Sequence, residues 1–195
     1  LTLSECSSLA ALPAAIGGLK ALTKLDLYGC SSLVALPDAI GGLEALQLLD
    51  LGYCSELRKI PSTIGGLKAL KTLCLNECTS LGALPDTINT LEALENLYLG
   101  GCSSLVLSQD ALNGLGALQE LHLSGSVKIE WLQLDKCSNL KKLFAQECPN
   151  LVLTRRTILA FHKQRVHVEG FSVRIIMMEL RKQAKRRRDR RHCDF

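Results

Sequence analysis

Aromatic residues are scarce in this chain, 4% of 195 residues, with one Trp, three Tyr and four Phe. The core cannot be assembled from a few large rings, yet the hydrophobic fraction of 47% is ample for a continuous one. The missing apolar mass is leucine, which points to a repeated aliphatic unit. Long apolar runs are also absent; nothing approaches the roughly 18 residues a membrane-spanning helix needs, so none is expected. Among nine cysteines there is no C-x-x-C pair, which removes the usual spacing of a zinc site. The phosphate-cradling pattern G-x-x-x-x-G-K-[ST] is missing too, so no nucleotide hydrolysis is expected from these residues. His122, His162, His167 and His192 share no ligand spacing with one another or with the cysteines, apart from the adjacent His192 and Cys193. The reading is therefore of a chain with no catalytic residue, no cofactor and no metal, a binding protein and not an enzyme.

Charge is unevenly distributed. Residues 171–195 hold nine Lys/Arg against three Asp/Glu, while the preceding 170 hold fourteen against sixteen. A mildly acidic body gives no reason to expect phosphate-backbone contacts, so nucleic-acid binding would have to rest on the tail. The run KQAKRRRDRR at 182–191 leaves three readings open: a solvated charge run, a nuclear-import segment, or, with residues 171–180, a basic amphipathic helix against a membrane or partner.

What the chain does have is a period. A shift of 24 residues aligns 22–45, 46–69, 70–93 and 94–117, with 1–21 as a shortened first copy, and puts Cys6, Cys30, Cys54, Cys78 and Cys102 in phase. The common pattern is L-x-x-L-x-L-x-x-C-S-S-L-x-A-L-P-D-x-I-G-G-L-x-A, which has the period and internal spacing of a leucine-rich repeat. Within one copy Leu25 and Leu27 share a face of a short strand. Gly29 and Cys30 turn the chain, Leu33 and Leu36 point inward, and Pro37-Asp38 starts a helical or 3-10 turn with Ile40 and Leu43 facing the core. One copy cannot offset its own backbone entropy, so the copies must stack. The predicted fold is an α/β solenoid, a horseshoe with a parallel concave sheet and short helical or 3-10 convex turns.

After residue 117 the period loosens. Leu118-Leu121-Leu123, Leu132-Leu134-Cys137-Leu140 and Leu143-Cys148-Leu151 read as three short, irregular repeats. Residues 154–164 read as a helix and 165–169 as a last strand, so the domain reading is repeats over 1–151, a closing helix and strand over 152–170, and a basic tail over 171–195.

The five in-phase cysteines are read as a structural ladder, small side chains turned inward with the thiol as a weak donor to a backbone carbonyl; Cys137 and Cys148 are expected to do the same. Cys74, at the outward strand position shared with Asp26 and Asp50, is read as a surface thiol. Many free thiols, with no N-x-[ST] sequon, favour a reducing compartment, so the expected location is cytoplasmic, with nuclear import as the alternative.

The candidate binding face follows from the outward strand positions. Tyr28, Tyr53, Tyr98 and Trp131, every Tyr and Trp in the chain, are predicted to point away from the leucines onto the concave sheet or its rim. Asp26, Asp50, Asn76, Glu77, Asn96, Glu120 and His122 surround them. This face is predicted to bind a protein or peptide with basic and apolar groups. A carboxylate pair such as Asp26 and Asp50 on an open sheet lacks the enclosure acid-base catalysis needs.

The phrase CSSLxALPDxIGGLxAL, at 30–46 and echoed from Cys6, Cys54 and Cys78, resembles the repeats of plant disease-resistance receptors of the nucleotide-binding leucine-rich-repeat type. It is also similar to plant intracellular leucine-rich-repeat proteins related to Ras-group scaffolds. The resemblance implies a module that reads a pathogen effector or a modified host protein and restrains an adjacent nucleotide-binding domain. The first residue, Leu1, lies inside a repeat, so the chain is expected to be a piece of a longer protein. Two other readings stay open: a regulatory or scaffolding segment of a multidomain signalling protein such as a kinase, and a nucleic-acid-associated protein acting through the tail.

Overall fold

The computed structural model describes residues 1–170; the readings placed on residues 171–195 lie outside the described residues. Successive coils each contribute one short strand to a parallel sheet: β1 (Lys24–Asp26), β2 (Leu48–Asp50), β3 (Thr72–Cys74), β4 (Asn96–Tyr98) and β5 (Glu120–His122). In the register Leu25, Leu49, Leu73, Leu97 and Leu121 fall in one line, all fully buried. Strand alternation then sends their neighbours outward. The chain needs only three residues per strand because the rest of each coil must turn back over the leucines.

The turn after each strand is left-handed. Glu5, Gly29, Tyr53, Glu77, Gly101, Gly125 and Glu147 occupy equivalent places and all have positive φ, between 56° and 77°. That geometry aims each amide at the next coil: Gly29 N–H donates to the Gly52 carbonyl at 2.8 Å, Tyr53 to Asn76 at 2.8 Å and Glu77 to Gly100 at 2.7 Å. Glycine adopts it without steric cost, whereas Tyr53 and Glu77 hold it at some backbone strain.

The convex side consists of 3-10 turns at Ala14–Gly18, Asp38–Gly42, Ser62–Gly66 and Asp86–Thr90. Each follows a proline in extended backbone (Pro13, Pro37, Pro61, Pro85), whose fixed φ starts the turn and whose missing N–H costs nothing there. Ile40 and Leu43 are fully buried, as the repeat pattern predicts. Gly41 is required by close stacking, since a Cβ there would run into the Thr63 carbonyl of the following coil.

The cysteine ladder is present with one exception. Cys54 Sγ donates to the Leu27 carbonyl at 3.3 Å, Cys78 to Leu51 at 3.2 Å and Cys102 to Leu75 at 3.0 Å, each reaching back to the preceding coil. Cys30 does the same to Leu3 at 3.2 Å. Ser126 is the next rung, fully buried with its hydroxyl 2.6 Å from the Leu99 carbonyl, and half-buried Cys148 follows, 3.0 Å from Leu123. Cys6 departs from the expectation: it is exposed, because no preceding coil in the described residues offers it a carbonyl or a wall. Burial pushes the thiols of Cys54 and Cys102 up to about 12. In the native protein a maleimide is therefore expected to label Cys6 quickly, and Cys54, Cys78 and Cys102 only as fast as the protein unfolds. Peptide mass mapping reads this directly, and rapid labelling of Cys78 would refute the ladder.

The irregular part is built differently from its sequence reading. β7 (Lys142–Phe144) pairs directly with β5, so one coil, not two, separates them. The stretch expected as a separate repeat at Leu132, Leu134, Cys137 and Leu140 is the return limb of that coil. Its strand β6 (Trp131–Leu132) pairs with β8 (Val152–Leu153) in a separate two-stranded sheet. Cys137 is buried and donates to the Leu112 carbonyl at 3.3 Å, off the ladder. The apolar spacing of a return limb mimics that of a strand, since both place aliphatic residues two and three apart against the same core.

In the last described coil a helix, α1 (Arg155–Gln164), takes the place of the 3-10 turn. Thr154 caps it by accepting the Thr157 N–H, and the Thr157 hydroxyl, fully buried, accepts the Leu134 amide at 2.8 Å. Arg165 ends it in the left-handed conformation, and β9 (His167–Glu169) completes the seven-stranded sheet beside β7.

Candidate protein-binding face

The outward side chains of the sheet fall into columns, because parallel strands in register repeat about every 4.8 Å. The central column runs Asp26, Asp50, Cys74, Tyr98, His122, Phe144, Glu169. Beside it run Lys24, Leu48, Thr72, Asn96, Glu120, Lys142 and His167. Of the residues expected on this face, Asp26, Asp50, Asn96, Tyr98, Glu120 and His122 stand on its strands. Tyr28, Tyr53, Asn76 and Glu77 follow the strands and form the rim of the sheet.

Two chemically different zones result. At one end Asp26 and Asp50 sit side by side, their Oδ1 atoms accepting the Tyr28 and Gly52 amides at 3.2 and 2.9 Å. That leaves each carboxylate an outward oxygen; Lys24 lies 3.9 Å from the one on Asp26. Tyr28 and Tyr53 pack against each other at the rim beside them, ring centroids 5.2 Å apart. Cys74 comes next, half-buried and not the open surface thiol expected. Burial first, then Asp50 and Asp26, push it up to about 12, so it is a poor nucleophile.

At the other end three rings stack along the column. Tyr98 and His122 are 4.5 Å apart with their planes tilted by 35°, and His122 and Phe144 are 4.1 Å apart and stacked at 19°. Burial pulls the His122 imidazole below its ordinary value, against the opposing pull of Glu120, whose Oε2 lies 3.7 Å from Nε2. Glu120 is held below the usual carboxylate range by the Lys142 ammonium, 2.6 Å away, so the two charges beside the rings offset each other. Phe144 was missed because it lies where the period had loosened; its place two residues after Lys142 in a K-L-F strand was the signal available.

Trp131 is the correction to this face. It lies on β6, outside the seven-stranded sheet, and is 55% exposed. There it borders a separate cleft of about 480 Å³ with Val106, Val127 and Lys128, between the fifth and sixth coils. Among the described residues no group of His, Cys, Asp and Glu could hold a metal ion, and no helix is long and apolar enough to cross a membrane.

The family model for a leucine-rich-repeat region matches residues 1–167. The chain belongs to the leucine-rich-repeat family. Among solved structures, the leucine-rich-repeat domain of the type III effector XopL superposes with a TM-score of 0.66 at 26% identity, covering 84% of this chain and 59% of that one. This leucine-rich-repeat chain thus spans less than two thirds of that domain. An internalin from Listeria monocytogenes matches at 22% identity and a TM-score of 0.38, over 76% of this chain and 71% of its own. The plant peptide hormone receptor RGFR1, solved in complex with RGF2, matches at 22% identity and a TM-score of 0.34, over 82% and 34%. No curated protein matches the chain.

Proposed function

We propose that the concave sheet is a protein-recognition surface and that it serves as the ligand-sensing part of an intracellular immune receptor of the plant type, next to a nucleotide-binding domain in a longer parent chain. The repeat phrase beginning at Cys30 supports the receptor reading. The partner's chemistry is supported by one observation: an acidic pair and an apolar ring stack lie on one open column, about two strand spacings apart from Asp50 to Tyr98. A peptide crossing the strands would set a Lys or Arg on Asp26 and Asp50 and an apolar side chain on Tyr98, His122 and Phe144, three or four residues further along. Aromatic residues of this kind carry a large share of interface energy, and charged pairs add steering and register.

The test is a peptide-display selection against the full chain, followed by affinity measurements with purified variants. Tyr98→Ala and Phe144→Ala are each expected to weaken a selected peptide by about 1–4 kcal/mol. Trp131→Ala, off the sheet, is expected to leave binding unchanged. If Trp131→Ala abolishes binding while the two concave variants bind normally, the flank cleft and not the sheet is the functional surface.

A further inference from the structure

Between each strand and the convex turn that follows it, neighbouring coils are stitched by a second series of backbone bonds. Val34 N–H donates to the Ala10 carbonyl at 3.3 Å, Arg58 to Val34 at 3.0 Å, Gly82 to Arg58 at 3.4 Å and Val106 to Gly82 at 2.9 Å. The next member, Glu130 to Val106, is missing, and the series resumes with Val152 to Glu130 at 2.5 Å. Among the described residues the Val106 carbonyl and the Glu130 amide have no partner. The 480 Å³ cleft beside Trp131 opens at this break. Three of the nine large hydrophobic side chains exposed among the described residues, Val106, Val127 and Trp131, border it. At the phase where earlier coils carry Ala11, Ala35 and Ala83, this coil carries the tryptophan. Lys128 and Glu130 also border the cleft, and neither belongs to an ion pair among the described residues.

We propose that this flank cleft is a second docking site, separate from the concave sheet, for an extended segment of another protein. The segment sets a backbone N–H and C=O against the Val106 carbonyl and the Glu130 amide, and an apolar side chain against Trp131, Val106 and Val127. An acidic and a basic side chain beside that anchor meet Lys128 and Glu130. A backbone donor and acceptor left open at a break in a ladder are matched by another backbone, as when a peptide adds to a sheet edge. The apolar frame sheds water once it is covered, which strengthens the hydrogen bonds inside it. Charge decides between kinds of partner. A nucleic acid or an anionic membrane would meet Glu130 together with Lys128, so the attraction of one is offset by the other. A purely apolar occupant would bury the free amide and carbonyl without partners, at a cost of roughly 1–3 kcal/mol for each. A peptide carrying both signs of charge beside an apolar residue satisfies all of these groups at once.

Trp131 is the one tryptophan of the chain, so its emission reports directly on the cleft. The test selects a random decapeptide display library on the full chain, with counter-selection on Val106→Asp. Val106 is 56% exposed and its own amide bond to Gly82 is untouched by the change, so that variant is expected to melt with the parent. Enriched sequences are expected to place an acidic and a basic residue beside an apolar one. A synthetic decapeptide of that sequence is expected to move the Trp131 emission to the blue and to shield it from iodide, because the ring leaves water. Lys128→Glu is expected to weaken it about tenfold, and a peptide with its acidic residue replaced by lysine is expected to recover most of that loss. Methylating the peptide's backbone nitrogens one at a time is expected to cost about tenfold at one position, where an N–H to the Val106 carbonyl is lost. Tyr98→Ala and Phe144→Ala are expected to leave the titration unchanged, so the result does not depend on what the concave sheet binds. No enrichment over the counter-selection would overturn the proposal, as would binding that leaves the Trp131 emission unmoved. A Lys128→Glu loss that the charge-swapped peptide does not recover, or equal tolerance of methylation at every position, would overturn the assigned contacts.

Discussion

Cys78→Asp is expected to destabilise the protein by about 3–5 kcal/mol, enough to unfold much of it at physiological temperature. Cys78 is fully buried between coils, with the Leu51 carbonyl 3.2 Å from its sulfur and Cys54 and Cys102 on the neighbouring rungs. A carboxylate there would face a carbonyl oxygen and find no cation or spare amide, so it would be either an unpaired buried charge or a protonated acid forced into a thiol-sized space. Cys78→Ser is expected to cost little, under about 1 kcal/mol, because the chain already performs that exchange: Ser126 occupies the equivalent rung and donates to the Leu99 carbonyl at 2.6 Å. Urea unfolding of the three proteins gives the comparison, read as a midpoint shift at constant slope. Near-equal midpoints for the Asp variant and the wild type would mean that the rung is open to water.

Leu97→Ala is expected to cost about 2–5 kcal/mol, whereas Tyr98→Ala, one residue on, should cost under about 1 kcal/mol. The residues are adjacent on β4, yet Leu97 is fully buried among the aligned leucines of β3 and β5 and Tyr98 lies on the solvent side, half-buried against His122. Removing the leucine leaves a cavity that neighbouring coils cannot close without losing their own register. Each coil touches only its neighbours, so the damage should weaken both interfaces of the coil. Tyr98→Ala removes one partner from a ring stack and leaves the core intact, and its main effect should fall on partner affinity. Equal losses of stability for the two variants would show that the face assigned to binding is instead part of the packing.

How much of this was legible beforehand differs along the chain. Where the 24-residue period holds, spacing alone assigned the inward leucines, the proline-started turns and the cysteine rungs from Cys30 to Cys102. Cys6 misled because its residue type and phase match the others, while burial depends on whether a coil lies on each side. Ser126 was overlooked because it keeps the phase without the residue type. Trp131 was placed on the concave sheet because W-L-Q-L spacing suits a strand, and β6 is indeed a strand, though in the other sheet.

The sequence by itself determined the repeat, the solenoid and which side chains alternate inward and outward, because a helical or sheet period is a local property and a leucine at a fixed phase has one favourable place to go. Only the tertiary structure decided which outward residues become neighbours. Tyr98, His122 and Phe144 are 24 and 22 residues apart in the chain and become a stack through the register between strands. The shortening of one coil, which no single residue announces, carried Phe144 into the column; Trp131 stays out of it because it lies on the return limb, whose strand pairs in the other sheet. Contact across coils is set by how many residues each coil takes to return, a sum over the whole loop that local patterning leaves undetermined.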